Sequence, residues 1–328
     1  MVTRTLLGCG SEASVPARIH STSSADATPG PAADDAAISM DDADGGMRAE
    51  SGDGGASVRD GAPVVGDSGA AMADAGMRCK RGLAATTTPS TAFLPTASSP
   101  GLTWWYNWSN QGSNVGARIA FVPMIWGSGS LDAPIPTGSD FLLAFNEPNF
   151  KTQADLTAQE AAADWPMIQA QAKGIPIVSP AVNFCGSASD SSQCSDPSVT
   201  DPYTYLEDFL AACPGCEVEY VAVHWYNCDL PSLIAYLEGN LDSGGTLQGF
   251  VQLGKPIWLT EFSCDTTRPV ADHMAYMQAA VPYLENNPNV FRYSWFSASA
   301  IPNAQLMNAD GSLTALGHTY VGLPEACR

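Results

Sequence analysis

The first 78 residues contain no Phe, Tyr or Trp. Ala, Gly, Ser and Asp dominate them instead, as in Gly52-Asp53-Gly54-Gly55. A segment without large apolar side chains cannot bury enough surface to offset the entropy of ordering its backbone, so residues 1–78 are expected to form a disordered linker. Cations are scarce as well. Lys and Arg number 14 against 34 Asp and Glu, for a formal charge of −20. That balance argues against nucleic acid or an anionic membrane as a partner, since either needs clustered basic side chains. No apolar run approaches the ~20 residues of a membrane-spanning helix. Also missing are a G-x-S-x-G elbow, an H-E-x-x-H pair, a P-loop and a dinucleotide fingerprint, so the chemistries those motifs serve have no support and no cofactor is expected.

Cysteine, by contrast, is plentiful. There are nine, more than a reduced cytosolic enzyme commonly carries, which points to an oxidising compartment. Leu6-Leu7-Gly8-Cys9 has the form of a bacterial lipobox, although the apolar stretch before Cys9 is shorter than the roughly 7 to 15 residues of a signal h-region. The expectation is a protein outside the cell or at its surface, lipidated at Cys9. The other eight cysteines can pair among themselves: Cys185 with Cys194 and Cys213 with Cys216 are local options, and Cys79 with Cys327 would tie together the two ends of residues 79–328. The CPGC at 213–216 has no second CxxC or His pair to complete a metal site, so no metal is expected.

Every aromatic residue falls in 79–328, a length that suits one large α/β domain. Eight short apolar runs recur there: Arg81 to Ala84, Leu102 to Tyr106, Ile119 to Ile125, Phe141 to Asn146, Ile175 to Ser179, Glu219 to His224, Pro256 to Thr260 and Val290 to Trp295. Several are continuous rather than alternating, as strands buried on both faces are. Between some of them lie helix signals: a capping box at Thr157-Ala158-Gln159-Glu160, a stop at Gly174, a cap at Asp201-Pro202, and an apolar stripe through Met274, Met277 and Val281. Eight strands alternating with helices or loops predict a (β/α)₈ TIM barrel over 79–328.

In such a barrel the strand C-termini carry function. Two glutamates sit there: Glu147 follows the fourth run in Asn146-Glu147-Pro148-Asn149, and Glu261 follows the seventh in Leu259-Thr260-Glu261-Phe262. A carboxylate next to a strongly apolar run is costly to desolvate, which favours a functional reason over a loop glutamate. Paired carboxyls facing each other across a barrel mouth are what glycoside hydrolysis needs, one protonating the leaving oxygen and the other attacking or stabilising the oxocarbenium-like centre.

Residues 80–323 resemble the clan A glycoside hydrolases, and among them the family 128 endo-β-1,3-glucanases. The resemblance rests on an ordered set of motifs, including Lys80-Arg81-Gly82-Leu83, Trp105-Tyr106-Asn107-Trp108, Phe121-Val122-Pro123-Met124-Ile125-Trp126-Gly127, Asn146-Glu147-Pro148-Asn149, His224-Trp225-Tyr226 and Trp258-Leu259-Thr260-Glu261-Phe262. It implies that Glu147 is the general acid/base and Glu261 the nucleophile of a retaining enzyme acting on β-glucan. It further implies that Asn146 contacts the sugar 2-hydroxyl and that His224 and Tyr226 orient Glu261 and hold its charge.

Pyranose rings stack on aromatic faces, so aromatics at strand ends are the candidate subsites: Trp295 first, at the reaction centre, then Trp105, Tyr106 and Trp126. Adjacent Trp104 and Trp105 must face opposite ways, so one of them belongs to the core. Barrel geometry adds a fourth disulfide, because Cys228 and Cys264 would sit on adjacent loops behind Glu261. Two rival readings keep the fold. One is a hydrolase of another β-glucan linkage or of mannan, and the other is a barrel that binds glycan without cleaving it. A monomer is the default expectation.

Overall fold

The apolar runs fold as parallel strands. A computed structural model describes residues 79–187, 189–239 and 248–327; residues 1–78, on which the expected linker and the expected lipidation at Cys9 fall, lie outside the described residues. The strands are β1 (Arg81–Ala84), β2 (Trp104–Tyr106), β3 (Ala120–Phe121), β4 (Met124–Ile125), β5 (Leu142–Ala144), β6 (Ile177–Val182), β7 (Tyr220–Tyr226), β8 (Ile257–Ser263) and β9 (Val290–Phe296). They form one curled, nine-stranded parallel sheet in the order β3-β2-β1-β9-β8-β7-β6-β5-β4.

The run at 119–125 supplies both ends of that order. Val122 N–H donates to the Trp105 carbonyl (2.9 Å) and the Pro123 carbonyl accepts from Leu143 N–H (3.0 Å). The first half of the run therefore pairs with β2 and the second half with β5, so the edges of the sheet are separated by two residues of chain. Pro123, which has no N–H to give to a ladder, sits where the pairing changes hands.

Among the described residues five α-helices follow the later strands, fewer than the one per strand of a regular (β/α)₈ pattern: α1 (Ala158–Ala172), α2 (Pro202–Ala212), α3 (Leu230–Glu238), α4 (Val270–Asn286) and α5 (Ala315–Gly322). After β1, β2 and β4 the described crossovers hold only 3-10 turns or irregular backbone. Those segments are poor helix formers, for example Thr86-Thr87-Thr88-Pro89-Ser90 and Ala133-Pro134-Ile135-Pro136, where β-branched residues lose rotamer freedom and proline removes a donor. The helix signals read from sequence sit where they should. Thr157 caps α1 in a reciprocal box with Glu160, and Asp201 caps α2 ahead of Pro202. On α4, Met277 and Val281 are buried.

Alternation along the strands sorts side chains onto two faces. One face meets the helices in the main core, which takes Leu83, Trp105, Leu259, Phe262, Tyr293 and Trp295. The other carries a smaller cluster built only from strand and inter-strand residues, including Trp104, Tyr106, Met124, Leu143, Ala181 and Trp258, and it faces the interior of the curl.

The described ends of the chain meet at Arg81. Its buried guanidinium donates to the carbonyls of Tyr320 (2.9 Å), Leu323 (2.9 Å) and Pro324 (2.8 Å) and pairs with Glu285 (3.4 Å), while Cys79 bonds to Cys327 nearby. Glu325, half-buried beside this cluster, is pushed up to about 7 by burial, with Glu285 adding and Arg81 opposing. Between its ordinary value of 4.5 and about 7 the folded state holds a proton that the unfolded state has released, so stability falls as pH rises through that window. Glu325→Gln should therefore match the parent below that window and exceed it at pH ~8 by on the order of 1–2 kcal/mol, allowing for partial solvation, as read by urea denaturation across pH.

Candidate active site

Two backbone irregularities aim the carboxylates. Past the end of β5, Phe145 (φ 52°) and Glu147 (φ 40°) adopt left-handed backbone, a costly conformation for side chains of this size unless surrounding bonds enforce it. They do: Phe145 N–H donates to the Ile125 carbonyl (2.7 Å), Glu147 N–H donates to the Ala181 carbonyl (2.8 Å) and Ala181 N–H to the Phe145 carbonyl (2.9 Å).

Glu261 lies inside β8 rather than closing it, and there the strand carries one extra residue. Against β7 the register runs Val223 with Leu259, then His224 with Glu261; against β9 it runs Leu259 with Tyr293, then Phe262 with Trp295. Both neighbours thus locate a bulge between Leu259 and Phe262. Leu259 and Phe262 both belong to the outer core, which strict alternation forbids at a spacing of three. The extra residue turns Glu261 inward, where an unbroken strand would have faced it outward with Leu259. The Ser294 hydroxyl donates to the Thr260 carbonyl at the bulge, and Tyr106 Oη lies 3.2 Å from the same oxygen.

The two carboxylates meet across one imidazole. His224 is fully buried, with Nδ1 2.9 Å from Glu147 Oε1 and Nε2 3.6 Å from Glu261 Oε1. The shorter of the two contacts is to Glu147. Asn183 Nδ2, one residue past β6, donates to the same Glu147 oxygen at 3.1 Å. Glu261 receives Trp108 Nε1–H (2.7 Å) and Tyr106 Oη–H (3.0 Å) on Oε1, and Tyr226 Oη–H on Oε2. Asn146 donates to Gln153 Oε1 (3.2 Å), and its own buried Oδ1 has no hydrogen-bond partner among the described residues.

Burial raises the Glu261 carboxyl above its ordinary range, and the charge of Glu147 adds to this, while His224, Tyr226 and Trp108 pull it back. For His224, burial disfavours the imidazolium, but Glu261 and Glu147 outweigh it and the net shift is upward. Burial foremost, then the neighbouring carboxylates, keeps the Tyr106 and Tyr226 phenols protonated and able to donate. The side chains of Glu147 and Glu261 are 12% and 5% exposed, so neither is sealed off completely.

The aromatic expectations divide by strand parity. Trp295 and Trp105 are completely buried on the outer face and are no platforms: Trp295 donates to the Ala304 carbonyl (2.8 Å) and packs edge-on against Phe262 (5.0 Å), and Trp105 donates to the Ser113 carbonyl (3.1 Å). Tyr106 faces inward, but as a buried donor to Glu261 rather than a stacking surface. Trp126 stands half-buried against the inner cluster. Sequence reasoning gave no site role to Trp108, Phe296 or Asn183. Counting in twos from Trp104 and Tyr106 would have found Trp108, and counting from Ser294 would have found Phe296, whose ring lies 5.7 Å from Trp108 and 5.5 Å from Tyr226.

Disulfides flank the site. Cys228–Cys264 joins the segments leaving β7 and β8, and Cys185–Cys194 closes the loop after β6. That loop pairs with the Glu147 segment through Phe150 and Cys194, and Ser195 N–H donates to the Asn149 carbonyl (3.0 Å). Cys213–Cys216 lies at the end of α2.

Residues 82–320 match the family model described as glycosyl hydrolase catalytic core. The structure is similar to that of a family 128 (subgroup II) endo-β-1,3-glucanase from Sorangium cellulosum, with 38% identity, 75% of this chain and 99% of that one covered, and a TM-score of 0.62. The chain belongs to glycoside hydrolase family 128. Another family 128 enzyme, a subgroup I endo-β-1,3-glucanase from Amycolatopsis mediterranei in complex with laminarihexaose, shares 27% identity at a TM-score of 0.58, with 75% and 99% of the two chains covered. Alkali-sensitive linkage protein 1 of Schizosaccharomyces pombe is 27% identical over 256 residues, 74% of this chain but 44% of that protein. The family 128 chain thus spans less than half the length of that curated relative.

Proposed function

We propose that this family 128 hydrolase is a retaining endo-β-1,3-glucanase, with Glu147 as acid/base and Glu261 as nucleophile, in a catalytic domain spanning 79–328. The observation that carries the reading is the convergence of both carboxylates on one imidazole. Glu261 has three neutral donors on its two oxygens, which favour the carboxylate because a hydrogen bond to the charged form is stronger than one to the neutral acid. Glu147 gives its proton to the departing glycosidic oxygen as Glu261 attacks the anomeric carbon. It then takes a proton from the water that cleaves the glycosyl ester.

The short strand separation between β3 and β4 supports a closed eight-stranded barrel, with β3 and β4 counted as one broken strand. The open Asn146 Oδ1 suits a sugar hydroxyl, and the half-buried faces of Trp126 and Phe296 suit glucosyl rings. Four disulfides favour a workplace outside the cytosol.

The test is incubation with laminarin, curdlan, cellulose and mannan, following the first product by proton NMR. Laminarin and curdlan should yield oligosaccharides whose new reducing ends appear first as the β-anomer. Appearance of the α-anomer first would overturn the double displacement, and exclusive cleavage of cellulose or mannan would overturn the linkage.

A further inference from the structure

The two oxygens of Glu261 are not equivalent. Oε1 accepts from Trp108 (2.7 Å) and Tyr106 (3.0 Å), with His224 Nε2 at 3.6 Å, whereas Oε2 accepts from Tyr226 alone. A carboxylate oxygen has two in-plane lone-pair directions. At Oε1 both are taken, and at Oε2 one remains. The Oε1 donors are also held in place. The Trp108 indole packs against Tyr106 (5.2 Å) and Phe296 (5.7 Å) from a left-handed backbone (φ 60°), and Tyr106 is completely buried.

We infer that Oε2 is the attacking atom, and that Trp108 and Tyr106 are positioning residues that hold Oε1 as the carbonyl oxygen of the glycosyl ester. The inference rests on the reading of Glu261 as nucleophile. In the first step an Oε2 electron pair forms the bond to the anomeric carbon. The bond to the glycosidic oxygen breaks, and that oxygen leaves with its electron pair and the Glu147 proton. In the second, water oxygen bonds to the anomeric carbon, its proton passes to Glu147, and the ester electron pair returns to Glu261.

Charge leaves the carboxylate in the first step and comes back in the second. Donors on Oε1 favour the anion over the ester, so they assist the return of charge and give no help to its departure. Removing one should slow ester hydrolysis and leave ester formation nearly untouched.

Trp108→Phe and Tyr106→Phe each remove one donor and keep a ring. On 2,4-dinitrophenyl β-laminaribioside, whose good leaving group makes the second step limiting, kcat should fall about tenfold to a hundredfold, the worth of one hydrogen bond to a charge. KM should fall in parallel, with kcat/KM held within about threefold. Mass spectrometry of the quenched reaction should show the glycosylated Glu261 peptide accumulating. Either variant suffices if its circular dichroism matches the parent. A parallel loss of kcat and kcat/KM, or an unchanged kcat in both variants, overturns the assignment of the oxygens. Turnover that survives in Glu261→Gly would instead overturn the nucleophile itself.

Discussion

Replacing Glu261 with glycine should lower turnover of laminarin by on the order of 10,000-fold while leaving oligosaccharide binding in place, because it removes the proposed nucleophile and none of the surrounding aromatic side chains. Sodium azide should restore turnover in that variant and yield an α-glycosyl azide, since the small anion enters from the face that the carboxylate vacated. In Glu147→Ala the same anion should give the β-azide, after the glycosyl ester has formed. Swapped products would exchange the two roles, and no rescue in either variant would count against covalent catalysis.

The pH dependence follows from the same burial. As the proposed nucleophile Glu261 has to be ionised, and its carboxyl is raised above the ordinary 4.5 by desolvation and by Glu147. As pH falls, the group protonates early, so the acid limb of kcat/KM should lie above that of a free carboxylate. Trp108→Phe, by removing one of the donors that lower it, should move that limb further up.

The second large effect is on stability. Cys79 and Cys327 are 248 residues apart in sequence, with Cα atoms 4.2 Å apart in the fold. Closing so long a loop in the unfolded chain is worth about 5 kcal/mol in the chain-entropy treatment. Cys79→Ser with Cys327→Ser should therefore lose a large part of that amount in urea denaturation, with kcat on laminarin little changed, because the bond lies near Arg81 and Glu285 rather than in the cleft. An unaltered midpoint would mean that the Arg81 contacts alone hold the ends together. A loss of kcat in the folded variant would mean that the two regions are coupled.

Legibility in the sequence tracks how local each rule is. The Thr157–Glu160 box and the Asp201-Pro202 start obey contacts within one turn, so they were readable without a fold. The eight apolar runs were readable because strands buried on both faces must be apolar throughout. The absent helices after β1, β2 and β4 were hidden by the symmetry of the expected barrel, although the Thr- and Pro-rich composition of those crossovers was available.

Counting failed where a face had to be assigned. Trp295 was a reasonable platform by position alone, at the end of an apolar run, yet β9 turns it outward onto Phe262 and places Phe296 at the cleft. Trp105 fails for the same reason, with Tyr106 inward beside it. On a strand the choice between two faces is set by pairing with neighbours, which no single run records.

Composition and motif order alone determined that residues 79–328 hold the core, that the chain resembles family 128, and that Glu147 and Glu261 are the carboxyls to watch. Tertiary structure decided which way each side chain points and what it touches. It put an extra residue in β8 so that Glu261 turns inward, set His224 between the two carboxyls, and gave Oε1 two donors where Oε2 has one. The reason is physical: apolar content and capping are properties of a segment, whereas register, bulges and converging hydrogen bonds exist only between segments that the fold has already brought together.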